Sequence, residues 1–236
     1  MSQFRRVQAL LFDLDGTLID SEPQTDQAIS AVVARHGVPK FRLPLRETRG
    51  RTWMHVAELI RALTPIELSA AELSAELLAE WNLATRSVQP IPGAPEALRA
   101  AAAEQLKLAV VSSSPRTVID RFLRLLGADE LVNPRARIGG DQVSHGKPDP
   151  EGYLRAAQEL GIEPDAALVF EDSRAGLLAA RAAGMRSMFV TCCAGDIAEN
   201  TPLASASLHD YRELPPDFWA QLASEQGDLR LRRTHE

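Results

Sequence analysis

The chain has 236 residues, of which 45% are apolar, and a formal net charge of −6. A chain of this length and composition can bury a full hydrophobic core, and its acidic balance argues against binding to the phosphate backbone of nucleic acids. No apolar run reaches the roughly 18 residues of a membrane span, and the apolar stretch after Arg6 ends too early for a signal peptide. We therefore expect a cytoplasmic protein without a nucleic-acid or membrane partner. Its two cysteines, Cys192 and Cys193, are adjacent, which favours free thiols over a structural disulfide.

The first predicted element is a strand over Val7–Phe12, a short apolar run that is typical of a buried parallel strand. The sequence Asp13-Leu14-Asp15-Gly16-Thr17 follows it directly. A parallel strand carries such residues to the carboxyl edge of the sheet, where ligands bind in open α/β folds. Two buried carboxylates require a cation or a proton, and a divalent metal with oxygen ligands meets that need. One of the two acids would then be free to act as a nucleophile.

Residues 21–90 form a block with helical spacing and no strand pattern. Ser21-Glu22-Pro23 offers a helix start, Gln24–His36 continues it, and helical spacing resumes from Leu43 to about Val88. The prolines and glycine of 90–93 then end the block. The sequence therefore predicts a core made of residues 1–20 and 91–236, with an inserted α-helical cap at 21–90 and hinges near 20–23 and 88–93.

From Gly93 onward, predicted strands and helices alternate, which indicates parallel βαβ units. The predicted strands are Lys107–Val111, Ala136–Ile138, Ala167–Phe170 and Ser187–Thr191, and the predicted helices are Ala94–Glu104, Thr117–Leu126, Pro150–Leu160 and Ala175–Ala183. The fold class is therefore α/β, with a Rossmann-like, doubly wound parallel sheet. The tail from about Glu225 is predicted to be frayed or disordered.

Further polar groups follow the later predicted strands. Ser112, with the backbone N–H groups of Ser113 and Ser114, suits an anionic oxygen. Lys147, one of only three lysines in the chain, lies on a loop stiffened by two prolines and can place a charge beside a phosphate.

Glu171 and Asp172 are adjacent acids after the strand Ala167–Phe170, and buried acids again need a cation or donors. Each of these motifs taken alone also fits a turn, a helix cap or a surface lysine. Because all of them lie at or near strand ends, a shared site is the better interpretation.

Taken in order, these four motifs resemble those of the haloacid dehalogenase superfamily over roughly residues 7–195. The helical insertion resembles the cap of its β-phosphoglucomutase-like and sugar-phosphatase branch. The resemblance implies that Asp13 is the nucleophile and Asp15 the general acid and base. Ser112, Ser113 and Lys147 would hold the phosphoryl oxygens. Mg²⁺ would be bound by Asp13, the backbone carbonyl of Asp15 and Asp172, with Glu171 acting through water.

Other chemistries of the superfamily fit less well. Dehalogenases need neither Mg²⁺ nor a second aspartate, and phosphonatases use a cap lysine whose position Lys40 does not match. Sugar-phosphate mutases carry a histidine where this chain has Thr25 and an arginine near Trp53. The absence of both favours hydrolysis, although Arg49 or Arg51 could still clamp a second phosphate.

The cap loop Arg49-Gly50-Arg51 is the candidate for reading the substrate, since glycine allows close backbone approach and arginine suits anionic or hydroxylated groups. A connecting loop with solvated arginines is the plainer interpretation. We expect a monomeric, Mg²⁺-dependent phosphomonoester hydrolase that acts through an aspartyl-phosphate on a small metabolite, such as a sugar or polyol phosphate. A β-phosphoglucomutase-like mutase and a non-catalytic regulator that binds a phosphorylated ligand remain the alternatives.

Overall fold

The computed structural model describes residues 6–224, and its centre is a six-stranded parallel sheet. The strands are β1 (Ala9–Phe12), β2 (Ile19–Asp20), β3 (Gln89–Pro90), β4 (Lys107–Val111), β5 (Arg137–Ile138), β6 (Ala167–Glu171), β7 (Arg186–Val190) and β8 (Ala206–Leu208). The helices are α1 (Glu22–Arg35), α2 (Leu45–Thr48), α3 (Trp53–Leu63), α4 (Ala70–Ala84), α5 (Ala94–Ala103), α6 (Arg116–Leu125), α7 (Glu151–Leu160), α8 (Arg174–Ala182), α9 (Ile197–Asn200) and α10 (Phe218–Ala223).

Strand β1 lies at the centre of the sheet, whose order is β5-β4-β1-β6-β7-β8. Strands β4 and β5 lie on one side of β1, and the later strands β6, β7 and β8 lie on the other side. The carboxyl end of β1 therefore lies at the point where the winding reverses, which is where ligands bind in doubly wound sheets.

Both faces of the sheet are covered. Along β1, Leu10 and Phe12 face a cluster built with α5, α6 and α10, whereas Ala9 and Leu11 face a cluster built with α7 and α8. All four residues of β1 are fully buried, which explains why the strand reads as a continuous apolar run. The predicted fold class is confirmed.

The cap has its own apolar cluster between α1, α3 and α4. Its buried members include Val32, Ile60 and Leu77. Helix α4 begins with a capping box in which the Ser69 and Glu72 side chains satisfy each other's backbone N–H groups. The sequence pattern thus correctly indicated helices here, although the chain leaves helical geometry after Ser87 and pairs as a strand at Gln89.

Two elements that the sequence did not predict connect cap and core. Strands β2 and β3 form an antiparallel pair in which Ile19 lies opposite Pro90 and Asp20 opposite Gln89. This pair lies where the hinges are predicted, and we propose that the cap comprises residues 21–90.

The structure also adds β8 and α10 after the last predicted strand. The prediction for the tail after residue 224 lies outside the described residues. Within residues 6–224, no helix combines the length and the apolar character needed to cross a bilayer.

Candidate active site

The carboxyl edge of the sheet brings the predicted motifs together. Asp13 follows β1, Ser112 follows β4, Asp172 follows β6, and Lys147 reaches in from the loop before α7. All four residues are buried, and so is Glu171, the last residue of β6. Five polar or charged groups in an apolar core must satisfy one another, and their contacts show how they do so.

The Lys147 ammonium is the positive centre of the site. Its Nζ donates hydrogen bonds to Asp13 Oδ1 at 2.5 Å, to Glu171 Oε1 at 2.6 Å and to the carbonyl oxygen of Val111 at 3.0 Å. Burial alone would lower the pKa of Lys147, but Asp13 and Glu171 outweigh burial and raise this pKa well above its usual value. Lys147 is therefore charged whenever these carboxylates are ionised.

Glu171 is held by protein donors on both carboxylate oxygens. Oε1 also accepts from the Tyr153 hydroxyl at 3.0 Å, and Oε2 accepts from the Ser173 backbone N–H at 2.9 Å and from Ser173 Oγ at 3.0 Å. A Cβ atom on Gly176 would lie 1.6 Å from Oε1, so the first turn of α8 leaves room only for this carboxylate. Glu171 is thus fixed in place by donors on both of its carboxylate oxygens.

Asp172 presents an oxygen without a donor. Its Oδ1 accepts from Thr17 Oγ1 at 3.4 Å, whereas Oδ2 is buried and has no hydrogen-bond partner among the described residues. Oxygens of Asp13, Glu171 and Asp172 lie within 4.8 Å of one another. Burial raises the pKa of Asp172 well above its usual value and that of Asp13 to about 8, although Lys147 lowers the latter. One ammonium cannot balance three ionised carboxylates, so burial favours the protonated forms of Asp13 and Asp172 unless a further cation is bound. The oxygen donor set fits a hard divalent cation such as Mg²⁺.

Asp15 is surrounded by hydroxyl groups instead of cations. Ser21 Oγ donates to Oδ1 at 2.8 Å, and Ser114 Oγ and Ser112 Oγ lie 2.8 and 3.3 Å from Oδ2. Burial raises the pKa of Asp15, and these hydroxyls lower it by a smaller amount. Asp15 therefore holds a proton more readily than an exposed aspartate does, as a general acid requires.

The serines after β4 have partners that the sequence did not indicate. The Ser114 N–H donates to Ser112 Oγ at 3.0 Å, and the Ser113 hydroxyl donates to the carbonyl oxygen of Gly50 at 2.9 Å. Sequence reasoning considered only the backbone of Ser114, because a side chain in a Ser-Ser-Ser run gives no hint of its direction.

The predicted cap loop lies directly on the core. Gly50 has a φ of +67°, and a Cβ atom there would lie 2.4 Å from Ser173 Oγ. Arg51 Nη1 donates to the carbonyl oxygen of Lys147 at 3.2 Å. A glycine is needed because both the positive φ and the close approach exclude a side chain.

Arg49 is not solvated as the plainer interpretation has it. Its Nε lies 3.1 Å from Glu22 Oε2, and the two side chains are 11% and 13% exposed. Burial raises the pKa of Glu22 to about 7, although Arg49 lowers it. The sequence indicated Glu22 only as part of a helix start, and nothing in its local pattern shows that it points inward.

Cap and core line a small, partly open cavity of about 40 Å³ above Asp13 and Asp15. Such a volume holds a few water molecules and does not hold a phosphorylated sugar. Its cap wall is aromatic, because the rings of Trp53 and Trp81 lie 6.0 Å apart and Trp81 Nε1 donates to Thr25 Oγ1 at 3.1 Å. The described structure is thus a closed arrangement of cap and core.

The sequence and the fold of this chain are similar to those of known proteins. A sequence model of the haloacid dehalogenase-like hydrolases matches residues 7–184. The validoxylamine A 7'-phosphate phosphatase of Streptomyces hygroscopicus subsp. limoneus is 41% identical over 181 residues, which make up 74% of this chain and 81% of that protein. Hexitol phosphatase B of Escherichia coli (strain K12) is 32% identical over 220 residues, 91% of this chain and 97% of that one.

Among solved structures, the crystal structure of CbbY from Rhodobacter sphaeroides in complex with phosphate superposes with a TM-score of 0.76 at 28% sequence identity. The match covers 88% of this chain and 96% of that one. The chain therefore belongs to the haloacid dehalogenase-like hydrolase family, in which it is a phosphatase-type enzyme.

Proposed function

We propose that the protein is a Mg²⁺-dependent phosphomonoester hydrolase that acts through an aspartyl-phosphate on a phosphorylated sugar or polyol. The observation that carries the proposal is the arrangement around Asp13. Its carboxylate contacts the Lys147 ammonium at 2.5 Å and belongs to a cluster of three buried acids. Phosphoryl transfer requires mainly such positioning and neutralisation of charge.

Mg²⁺ would be held by Asp13, the backbone carbonyl of Asp15 and Asp172, with Glu171 acting through water. When bound, the ion would neutralise charge on the transferring phosphoryl group and on the nucleophile. The donor-free Oδ2 of Asp172 supports this assignment, since a buried carboxylate oxygen without a partner is costly.

In the first half-reaction, a carboxylate oxygen of Asp13 attacks phosphorus and the bond from phosphorus to the ester oxygen breaks. Asp15 donates its proton to that leaving oxygen, and its raised pKa supports this role. In the second half-reaction, Asp15 accepts a proton from water while the water oxygen attacks the aspartyl-phosphate. Asp13 is thereby regenerated and inorganic phosphate is released.

Lys147, Ser112 and Ser113 would hold the phosphoryl oxygens during both steps. Lys147 supplies a fixed positive charge, and the serines supply hydroxyl or backbone N–H donors at the end of β4. Because the cavity above Asp13 and Asp15 is smaller than a phosphorylated sugar, we propose that the cap opens for binding, with the paired linkers β2 and β3 as the hinge.

The nature of the substrate rests on the relatives and on the cap. The two relatives above are named as phosphatases of validoxylamine A 7'-phosphate and of hexitols. Thr25 and Trp53 lie at or near the positions where a mutase would carry histidine and arginine. Here Trp53 packs against the ring of Trp81, and Thr25 accepts a hydrogen bond from Trp81 Nε1. The absence of the two mutase residues supports hydrolysis over transfer of the phosphoryl group to a second hydroxyl. A monomeric state and a cytoplasmic location stay predictions.

The test is phosphate release from a panel of sugar, polyol, glycolate and nucleotide phosphates, with Mg²⁺ and with EDTA. The variant Asp13→Asn should abolish release, whereas Asp217→Asn, at an exposed position where Asp217 accepts from Gln221, should leave it unchanged. Binding of phosphate esters without release by folded wild-type protein would refute the hydrolase and favour a regulator. Conversion of β-glucose 1-phosphate to the 6-phosphate would favour a mutase.

A further inference from the structure

Two charged cap residues, Glu22 and Arg49, contact each other at the cavity that lies above Asp13 and Asp15. Both side chains line the cavity above Asp15, and each is close to nine-tenths buried. Glu22 comes from the start of α1, next to the hinge, and Arg49 from the loop after α2. A carboxylate beside the proposed phosphate site repels an anionic substrate. Glu22 should therefore have a function that offsets this electrostatic cost.

The pair also has unused hydrogen-bonding capacity. Glu22 Oε2, Arg49 Nε and Arg49 Nη1 are buried without a hydrogen-bond partner among residues 6–224, so the 3.1 Å contact is an ion pair without hydrogen-bond geometry. Buried polar atoms of this kind need partners, which water or a bound ligand can supply. The ligand must offer both donors and acceptors, because Glu22 only accepts and Arg49 only donates.

The charge of the pair limits what that ligand can be. Arg49 would attract a second phosphate or a carboxylate if it stood alone, but Glu22 neutralises it. Arg51, the other arginine of the cavity wall, donates to the Lys147 carbonyl. A second anionic group would therefore lie beside the Glu22 carboxylate, whereas a hydroxyl group can donate to Glu22 and accept from Arg49. Specificity built in this way rests on a repulsive element.

On the basis of the proposed function, we propose that the Glu22–Arg49 pair is a specificity device that selects phosphomonoesters with a neutral, polyhydroxylated tail and rejects those with a second anionic group. The pair touches the substrate away from phosphorus and takes no part in the bond-making steps. Its removal should therefore change which tail is accepted more than it changes how fast phosphorus is attacked.

Two hexose-derived phosphates that differ only at the far end test this directly. Sorbitol 6-phosphate ends in a hydroxymethyl group, and gluconate 6-phosphate ends in a carboxylate. The measured quantity is the ratio of kcat/KM for the gluconate ester to that for the sorbitol ester, at pH 8. Wild type should have a ratio well below one. Glu22→Gln frees the Arg49 charge and should raise the ratio about tenfold or more, as expected when a charged donor gains an anionic partner.

Companion variants make the test specific. Arg49→Gln leaves Glu22 alone and should lower the ratio, and the double variant should return it to within a few-fold of wild type. Glu80→Gln removes a surface ion pair with Arg35 at 2.7 Å on the same cap and should leave the ratio unchanged. The proposal is overturned if Glu22→Gln and Arg49→Gln shift the ratio in the same direction, or if neither variant shifts it.

The same comparison is made by calorimetry in the Asp13→Asn background, where binding does not depend on turnover. If wild type releases no phosphate from any ester, the proposed hydrolase fails. The relative affinity of the two esters in Glu22→Gln and its parent then still decides whether the pair selects against an anionic tail.

Discussion

Replacing Lys147 with methionine removes the one ammonium of the site while keeping a side chain of similar length. In the structure, Lys147 Nζ contacts Asp13 Oδ1 at 2.5 Å and Glu171 Oε1 at 2.6 Å, and it is 8% exposed. The substitution leaves Asp13, Glu171 and Asp172 clustered in the core without a balancing charge. We expect the metal-free protein to lose stability mainly through these uncompensated acids.

The size of the loss follows from the burial of the pair. Removing one partner of a buried ion pair costs about 3–5 kcal/mol, since the remaining charge cannot be solvated. Proton uptake limits the cost, and the pKa of Asp13 is already about 8 with Lys147 present. The carboxyl pKa values in the folded variant should rise further above their unfolded values. The variant should therefore be least stable relative to wild type above pH 8, and the difference should shrink as the pH falls towards 5.

Urea unfolding in EDTA, followed by circular dichroism at pH 5.5, 7.5 and 8.5, measures this difference in the free energy of unfolding. Lys107→Met is the matched control, because Lys107 donates a hydrogen bond to the Leu160 carbonyl at 2.6 Å and forms no ion pair with an acid among residues 6–224. The control should lose about 1 kcal/mol at every pH. If Lys147→Met loses no more stability than Lys107→Met, or loses the same amount at each pH, then Lys147 does not balance the buried acids.

Three further substitutions probe the parts around this centre. Burial raises the pKa of Glu22 from 4.5 to about 7. Ionisation of Glu22 should therefore lower the free energy of unfolding by about 3 kcal/mol between pH 5 and pH 8. Because glutamine does not ionise, Glu22→Gln should raise Tm more at pH 8 than at pH 5. Gly50→Ala should raise KM and lower kcat because the cap loop can no longer lie on the core. Gly37→Ala, at a similar positive φ with open space around it, should affect stability alone. Gly176→Ala should displace the Glu171 carboxylate and cost about 1–3 kcal/mol in urea unfolding at pH 7.5. An unchanged urea midpoint for Gly176→Ala would show that α8 moves to accommodate the added methyl group and that the Glu171 carboxylate stays in place.

The elements that carry the site could be predicted because their sequence pattern has a direct physical cause. Strands β1, β4 and β6 are covered on both faces, so they read as short apolar runs, and the polar residue that ends each run marks the carboxyl edge. The linker strands β2 and β3 escaped prediction because each has two residues and one includes a proline. No periodicity can be read from two residues.

The missed site residues share a different cause. Tyr153 has the helical spacing of an ordinary core residue, and only the packing of α7 against the sheet brings its hydroxyl to Glu171. Glu22 reads as a favourable acid in the first turn of a helix. Its burial follows from where the cap loop places Arg49. Contacts between segments that are distant in the chain decide such roles, and a single sequence does not record them.

The closed cap also constrains how a phosphoryl group can be held. The Ser113 hydroxyl has one proton, and in this arrangement it donates to the Gly50 carbonyl of the cap loop. The same proton cannot also be donated to a phosphoryl oxygen. The hydrogen bond from Ser113 to the cap loop can therefore persist during phosphate binding only if Ser113 contacts the phosphate through its backbone N–H. Arg51 ties the loop to the carbonyl of Lys147 in the same way, which leaves the ammonium free for its own partners. If Ser113 and Lys147 hold the phosphoryl group as proposed, cap closure and phosphate binding would use different groups of the same residues. The position of the cap would then depend on the elements that position the phosphate.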